Sequence, residues 1–165
     1  MIIKETIRQG ILRQLRTDYE NAIRSASAAH EAATNEESKA ENKYDTRGLE
    51  ASYLAEGQSR RVTELEEEIA VYEKLELADF TEASPIRLTA LVVLEDNKES
   101  RQLFFVGPLS GGLKVVILES GLKGECLVVT AKAPLGSALI GKRVGDEVVI
   151  NIAGNTACYD IIDVY

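Results

Sequence analysis

A chain of 165 residues is long enough for one ordinary domain or two small ones, and 45% apolar residues with a mean hydropathy of −0.09 indicate a globular protein. The net charge of −8 is concentrated in residues 1–80, which hold 17 acidic and 11 basic side chains against 10 and 8 in residues 81–165. An acidic chain without a basic block is a poor direct ligand for duplex nucleic acid, and no apolar run nears the ~18 residues of a membrane span.

Met1 leads into IIKETIRQG, where charge interrupts the apolar residues too early for a secretory leader, so a cytoplasmic location is expected. From 4 to 79 there is no proline, and glycine occurs only at 10, 48 and 57. Ile7, Ile11, Leu15, Tyr19 and Ile23 recur every fourth residue, and Ala22, Ala26, Ala29 and Ala33 continue with a 3–4 spacing. Leu49 and Tyr53 share a face, after which Val62, Leu65, Ile69, Tyr72 and Leu75 step by three and four. These helical, near-heptad spacings predict two long helices, over 4–38 and 48–77, folded back as an antiparallel hairpin within 1–79. Pairing Ile7 with Leu75 and Ile23 with Val62 places the reversal near residues 41 and 42, with the tip at about 39–47.

The segment EESKAENKYDTRGLE (36–50) therefore falls at that tip. Glu37, Glu41 and Asp45 are four apart, and so are Lys39, Lys43 and Arg47. In one continuous helix each trio would be a stripe of like charge, costing a few tenths of a kcal/mol per pair. Two explanations stand: a solvated helix end, or carboxylates held together for a cation that something else supplies. Glu41 and Asp45 are the acids nearest the reversal, and Glu37 is third.

From 80 the pattern changes to short β-like runs, giving an α+β protein with a second domain over 80–165. Strands are predicted at about 87–94, 102–106, 114–118, 126–130, 147–152 and 159–164. Asp96-Asn97-Lys98 and Ser110-Gly111-Gly112 are read as turns, the latter of a hairpin. Pro134 to Gly141 breaks the rhythm as a short helix, proline at its start and glycine just past its end. A small antiparallel sheet around one short helix is the expected architecture. Cys126 and Cys158, far apart in sequence, are expected as two buried free thiols. The lone His30 has no nucleophile motif around it, and no phosphate-binding loop or zinc-protease motif is present. Glu64, Glu66, Glu67 and Glu68 read as a solvated helix face. An enzyme acting on its own is not expected.

The run APLGSALIGKRVGDEVVI (133–150), followed by YDIIDVY (159–165), resembles the C-terminal domain of the bacterial Gre transcript-cleavage factors. There a proline-led helix ends in Leu-Ile-Gly-Lys, and an acidic glycine turn and a Val/Ile strand follow. The helical hairpin ahead of it matches that family's architecture. The resemblance implies an FKBP-like fold for the second domain and a partner, RNA polymerase, on whose secondary-channel rim that domain docks. It implies a coiled coil that passes down the channel and tip acids that help hold a Mg²⁺ shared with the polymerase active site. Backtracked RNA would be the cleaved strand, and no intrinsic cofactor, no membrane contact and a monomer are expected. Carried onto this chain, the tip acids are Glu41, Asp45 and Glu37, and Pro134 and Leu135 fall close to the docking surface. The family's tip reads acid-Leu-x-Glu-Asn; Glu37-Ser-Lys-Ala-Glu41-Asn42 has one extra residue between the acids, Ser38 in place of leucine, and Lys43 in place of a second glutamate. A second registration begins the tip at Asp45 and puts Gly48 where a glutamate belongs. Two Gre-type readings thus stand, a cleavage factor and a non-cleaving regulator or inhibitor. Beside them stand a coiled-coil interaction protein and, from the FKBP-like fold alone, a prolyl isomerase.

Overall fold

The computed structural model describes residues 2–35, 46–119, 122–152 and 154–165. In chain order the elements are α1 (Ile2–Thr34), α2 (Arg47–Glu73), β1 (Leu91–Asp96), β2 (Arg101–Gly107), β3 (Lys114–Glu119), β4 (Leu122–Thr130), α3 (Pro134–Leu139), β5 (Glu147–Ile152) and β6 (Asn155–Val164). They form two compact units: Leu12–Glu73, and Met1–Ile11 together with Lys74–Tyr165. The first turns of α1 thus belong with the sheet.

In the helical unit, Arg16 reaches Glu73 at 2.8 Å, and the Tyr19 hydroxyl donates to Glu66 at 2.7 Å. Partners on α2 fall in number as those on α1 rise, so the helices are antiparallel. Both side chains of the Arg16–Glu73 pair are about half exposed, so it defines register more than it stabilises. On α1 the seam is Leu15, Tyr19, Ala22, Ala26, Ala29 and Ala33; on α2 it is Gly48, Ala51, Ala55, Gln58, Val62, Leu65, Ile69 and Tyr72, all buried or half-buried. Steps of three and four alternate without a break, which is the 3.5-residue repeat of a coiled coil. Two expectations are corrected by it. Ile23 is 42% exposed, because a four-residue step advances ~400° around a helix and drifts ~40° off the seam each time. Leu49 and Tyr53 are exposed as well; Ala51 and Ala55 hold the seam there.

The sheet has the order β3-β4-β2-β1-β6-β5. Every neighbouring pair is antiparallel except β2 and β4, which run parallel from Leu103↔Cys126 to Gly107↔Thr130. The sheet is therefore mixed, and the Ser110-Gly111-Gly112 loop is a crossover from β2 to the far side of β4, not a hairpin turn. The left-handed φ of Ser110 (58°) and Gly112 (93°) reverses the chain there, and Gly112 N–H donates to Val128 O at 2.8 Å. The Asp96 turn is as predicted. Its carboxylate accepts from the backbone N–H of Ser100 and Lys98 at 2.9 and 2.8 Å, and these bonds hold its pKa below the ordinary value.

Both faces of the central strands are buried, which is why ALVVL and LFFVG read as unbroken apolar runs. Val92, Leu94, Phe104, Val106, Val148 and Ile161 make one core with Leu139 of α3. Leu91, Leu103, Phe105, Val115, Ile117 and Val128 are buried on the opposite face. Gly10 of α1 meets that face: a Cβ on it would stand 2.4 Å from Cγ1 of Val115. Ile7, one helical turn earlier, and the adjacent Ile11 are fully buried.

Cys126, paired with Leu103 in the parallel ladder, lies on the buried side. Cys158 is exposed on β6 opposite Val149, contrary to the expectation of two buried thiols. The alternation of side chains along a strand decides it: Ala157 and Tyr159 face the core, so Cys158 cannot. Burial pushes the Cys126 thiol up to about 12, against a hydrogen bond to the Phe105 backbone that pulls it down. At neutral pH a maleimide should therefore modify Cys158 rapidly in the native protein and Cys126 only after unfolding. Mass spectrometry of the labelled peptides checks this, and rapid native labelling of Cys126 would contradict it.

Candidate functional site

The residues expected to act lie at two places in the chain. Glu37, Glu41 and Asp45, with Lys39 and Lys43, fall between the end of α1 and the start of α2, outside the described residues. Among the described residues, no grouping of three or more His, Cys, Asp or Glu side chains could hold a metal ion. His30 is exposed on α1, where its carbonyl accepts the Thr34 hydroxyl at 3.0 Å. The glutamates of α2 form a solvated charge network. Arg61 bridges Glu64 and Glu68 at 3.2 and 3.4 Å, and Glu66 accepts the Tyr19 hydroxyl in a hydrogen bond that raises the phenol pKa.

The second place is the start of α3. Ala133, in an extended conformation, makes no side-chain cap, and Pro134 opens the helix where no N–H is needed. Ser137 and Ile140 N–H groups donate to Ala133 and Gly136 carbonyls at 2.8 and 3.1 Å. Gly136 sits so close to β4 that a Cβ on it would stand 2.0 Å from the Thr130 carbonyl oxygen. Gly141, at φ 84°, ends the helix, and its N–H donates to Ile86 O at 2.8 Å. The helix is thus held against β4 at Gly136 and, just past its end, to the segment that precedes β1. Of its two predicted partner-contact residues, Pro134 is exposed, whereas Leu135 packs against the core and is half-buried.

A mainly apolar cleft of about 280 Å³ opens between Leu88, Gly107, Pro108, Leu109, Thr130 and Lys132, the last of these lying two residues before Pro134 in the chain. Leu88 and Leu109 are 45% and 39% exposed, and Ile140 at the end of α3 is 42% exposed. None of the residues lining the cleft stood out in the sequence. They come from three loops that only the β2–β4 pairing brings together, and the one local signal was the Pro-Leu-Ser-Gly-Gly run after β2.

Two long helices paired antiparallel, together with a mixed six-stranded sheet carrying a proline-led helix, define an α+β protein of the coiled-coil-plus-β-domain class. The chain belongs to the GreA/GreB transcription elongation factor family: residues 83–165 match the model of the GreA/GreB C-terminal domain. It is 35% identical over 119 residues to the transcription elongation factor GreA of Mesorhizobium japonicum, covering 70% of this chain and 65% of that one. To GreA of Sinorhizobium medicae it is 32% identical over 106 residues, covering 63% and 60%. The chain thus matches somewhat less than two thirds of the length of these relatives. The crystal structure of the GreA factor homolog 1 protein of Thermus thermophilus superposes with a TM-score of 0.39 at 20% identity, over 93% of this chain and 94% of that one. Among the described residues, no helix is long and apolar enough to cross a membrane.

Proposed function

We propose that this chain is a Gre-type factor that binds RNA polymerase, places its acidic helical turn in the secondary channel and promotes cleavage of backtracked RNA. The observation that carries the reading is the union, in one chain, of the family's C-terminal domain with an antiparallel helical pair whose connection holds Glu37, Glu41 and Asp45. The β domain would dock through Pro134 and the apolar cleft lined by Pro108. A surface of exposed leucines around a rigid proline suits burial against an apolar partner, and Lys132 at its rim suits an acidic neighbour.

The chemistry would belong to the polymerase. Phosphodiester hydrolysis with two Mg²⁺ ions needs one ion beside the attacking oxygen and one beside the leaving oxygen. Mg²⁺ is satisfied by one or two carboxylates and keeps several waters, so Glu41 and Asp45 would suffice to help hold an ion shared with the polymerase. Glu37 would act as an outer partner. A non-cleaving regulator uses the same docking and differs only at the tip, where Ser38 and Lys43 stand in place of the family's residues.

Incubating the wild-type protein with core polymerase stalled in a backtracked complex is the direct test. The expected result is co-purification with the polymerase and shortening of the labelled RNA from its 3′ end in Mg²⁺ buffer. Co-purification with intact RNA would overturn cleavage in favour of the regulator, and loss of co-purification would overturn both.

A further inference from the structure

Lys4 and Thr89 are the two buried polar side chains among the described residues, 1% and 2% exposed, and both bind the same residue. Lys4 Nζ donates to the Ala78 carbonyl oxygen, while Ala78 N–H donates to Thr89 Oγ1 at 3.0 Å. Thr89 holds φ at 71°, a left-handed conformation that β-branched residues seldom adopt. Its own N–H donates to Val106 O on β2 at 2.8 Å, so the strained residue is anchored in the sheet. Phe80, two residues past Ala78, receives two cations: Lys4 Nζ lies 4.8 Å from its ring centroid and the Arg87 guanidinium 5.2 Å. Burial pushes the Lys4 ammonium below the usual lysine range, with Asp79 opposing and Arg87 reinforcing the shift. An apolar side chain at 4 would avoid that desolvation, and glycine at 89 would relieve the backbone. Neither substitution would hold Ala78 by both of its backbone polar groups.

We infer that Lys4 and Thr89 are positioning residues that clamp Ala78 from both sides and so fix the segment by which the chain returns from α2 to the β unit. The chain leaves this unit after Ile11 and re-enters it at Lys74. Lys4 lies on the outgoing connection and Ala78 on the returning one, so their bond ties the two to each other and Thr89 ties them to the sheet. The functional consequence rests on the polymerase reading: a loosened return segment would slow cleavage without weakening docking through the β domain.

The experiment uses the full chain with spin labels at Glu76→Cys in the returning segment and Lys98→Cys in the β1–β2 turn, both exposed positions of the β unit, in a Cys158→Ser background. The wild-type clamp should give one narrow distance distribution. Lys4→Met and Thr89→Val should each broaden it at least twofold, and Thr89→Ser, which keeps the hydroxyl, should leave it narrow. Transcript cleavage should fall about tenfold in the first two variants, with polymerase affinity held within twofold. Distributions for Lys4→Met and Thr89→Val that match wild type overturn the clamp, including when their melting temperature falls, since the residues are then merely structural. If the distances broaden but wild-type protein leaves backtracked RNA intact, the clamp stands and the cleavage reading fails.

Discussion

Replacing Glu41 or Asp45 with alanine is expected to slow transcript cleavage by about 10²-fold, with polymerase binding unchanged within about twofold. The magnitude follows from what one carboxylate does for a developing charge: removing a single preorganised stabilising group from a hydrolytic transition state typically costs about 10²–10³ in rate. Binding should survive because the proposed docking surface belongs to the β domain, and an isolated solvated carboxylate contributes little to a protein interface. Glu37→Ala should have a smaller effect, since its reading is that of a partner to the ion-holding pair. Raising Mg²⁺ should partly restore cleavage in the single variants, because a weakened site fills by mass action. Single-turnover cleavage on stalled complexes, run across a Mg²⁺ series, measures all of this. A matching loss of binding in Asp45→Ala would mean that the turn docks, and the assignment of these acids to the metal would fall.

The helical pair and its partner unit were legible in the sequence to different depths. Ala22, Ala26, Ala29 and Ala33 carry the seam as their spacing suggests, because small residues at heptad positions bring two helices close. What misled was size. Ile23, Leu49 and Tyr53 attract the eye as apolar, yet the seam at their level belongs to Ala22, Ala51 and Ala55, and the large residues point to solvent. In the sheet, β5 falls at 147–152 as predicted, whereas β4 and β6 begin four residues before their predicted starts. Those early residues, Leu122 to Glu125 and Asn155 to Cys158, are largely exposed and polar, and a strand held by ladder bonds needs no apolar pattern there. The parallel pairing of β2 with β4 was invisible for a deeper reason. It joins strands separated by the whole of β3, and nothing in a local run of Val and Leu specifies the direction of a distant neighbour. The cleft lined by Leu88, Pro108 and Thr130 depends on that pairing, so it was hidden too. The acids of the turn have the opposite character: charge spacing displays them in the sequence, whereas their role rests on the polymerase reading.

The largest loss of stability is expected from Gly136→Ala. The added Cβ would stand 2.0 Å from the Thr130 carbonyl oxygen and 2.7 Å from its carbon, and both atoms are backbone, so no rotamer change can clear them. Either α3 moves off β4 or the end of β4 bends. Leu139, fully buried in the core, moves with the helix in the first case, and the β2–β4 ladder, which ends at Thr130, opens in the second. Alanine's better helix propensity returns at most about 1 kcal/mol. Overpacking against an immobile neighbour typically costs about 1–3 kcal/mol and occasionally more, and at 2.0 Å the upper end applies, so a net loss of about 2 kcal/mol is expected. For a domain of this size that lowers the melting temperature by roughly 8–16 °C. Gly57→Ala is the matched control. Position 57 lies in α2, where an added Cβ would meet nothing within 4 Å, so the same exchange should raise stability by about 0.5–1 kcal/mol. Thermal unfolding of the two variants, followed by circular dichroism, gives opposite signs if contact with Thr130 is the cause. Equal shifts in the two would mean that contact with Thr130 is not what requires glycine at 136.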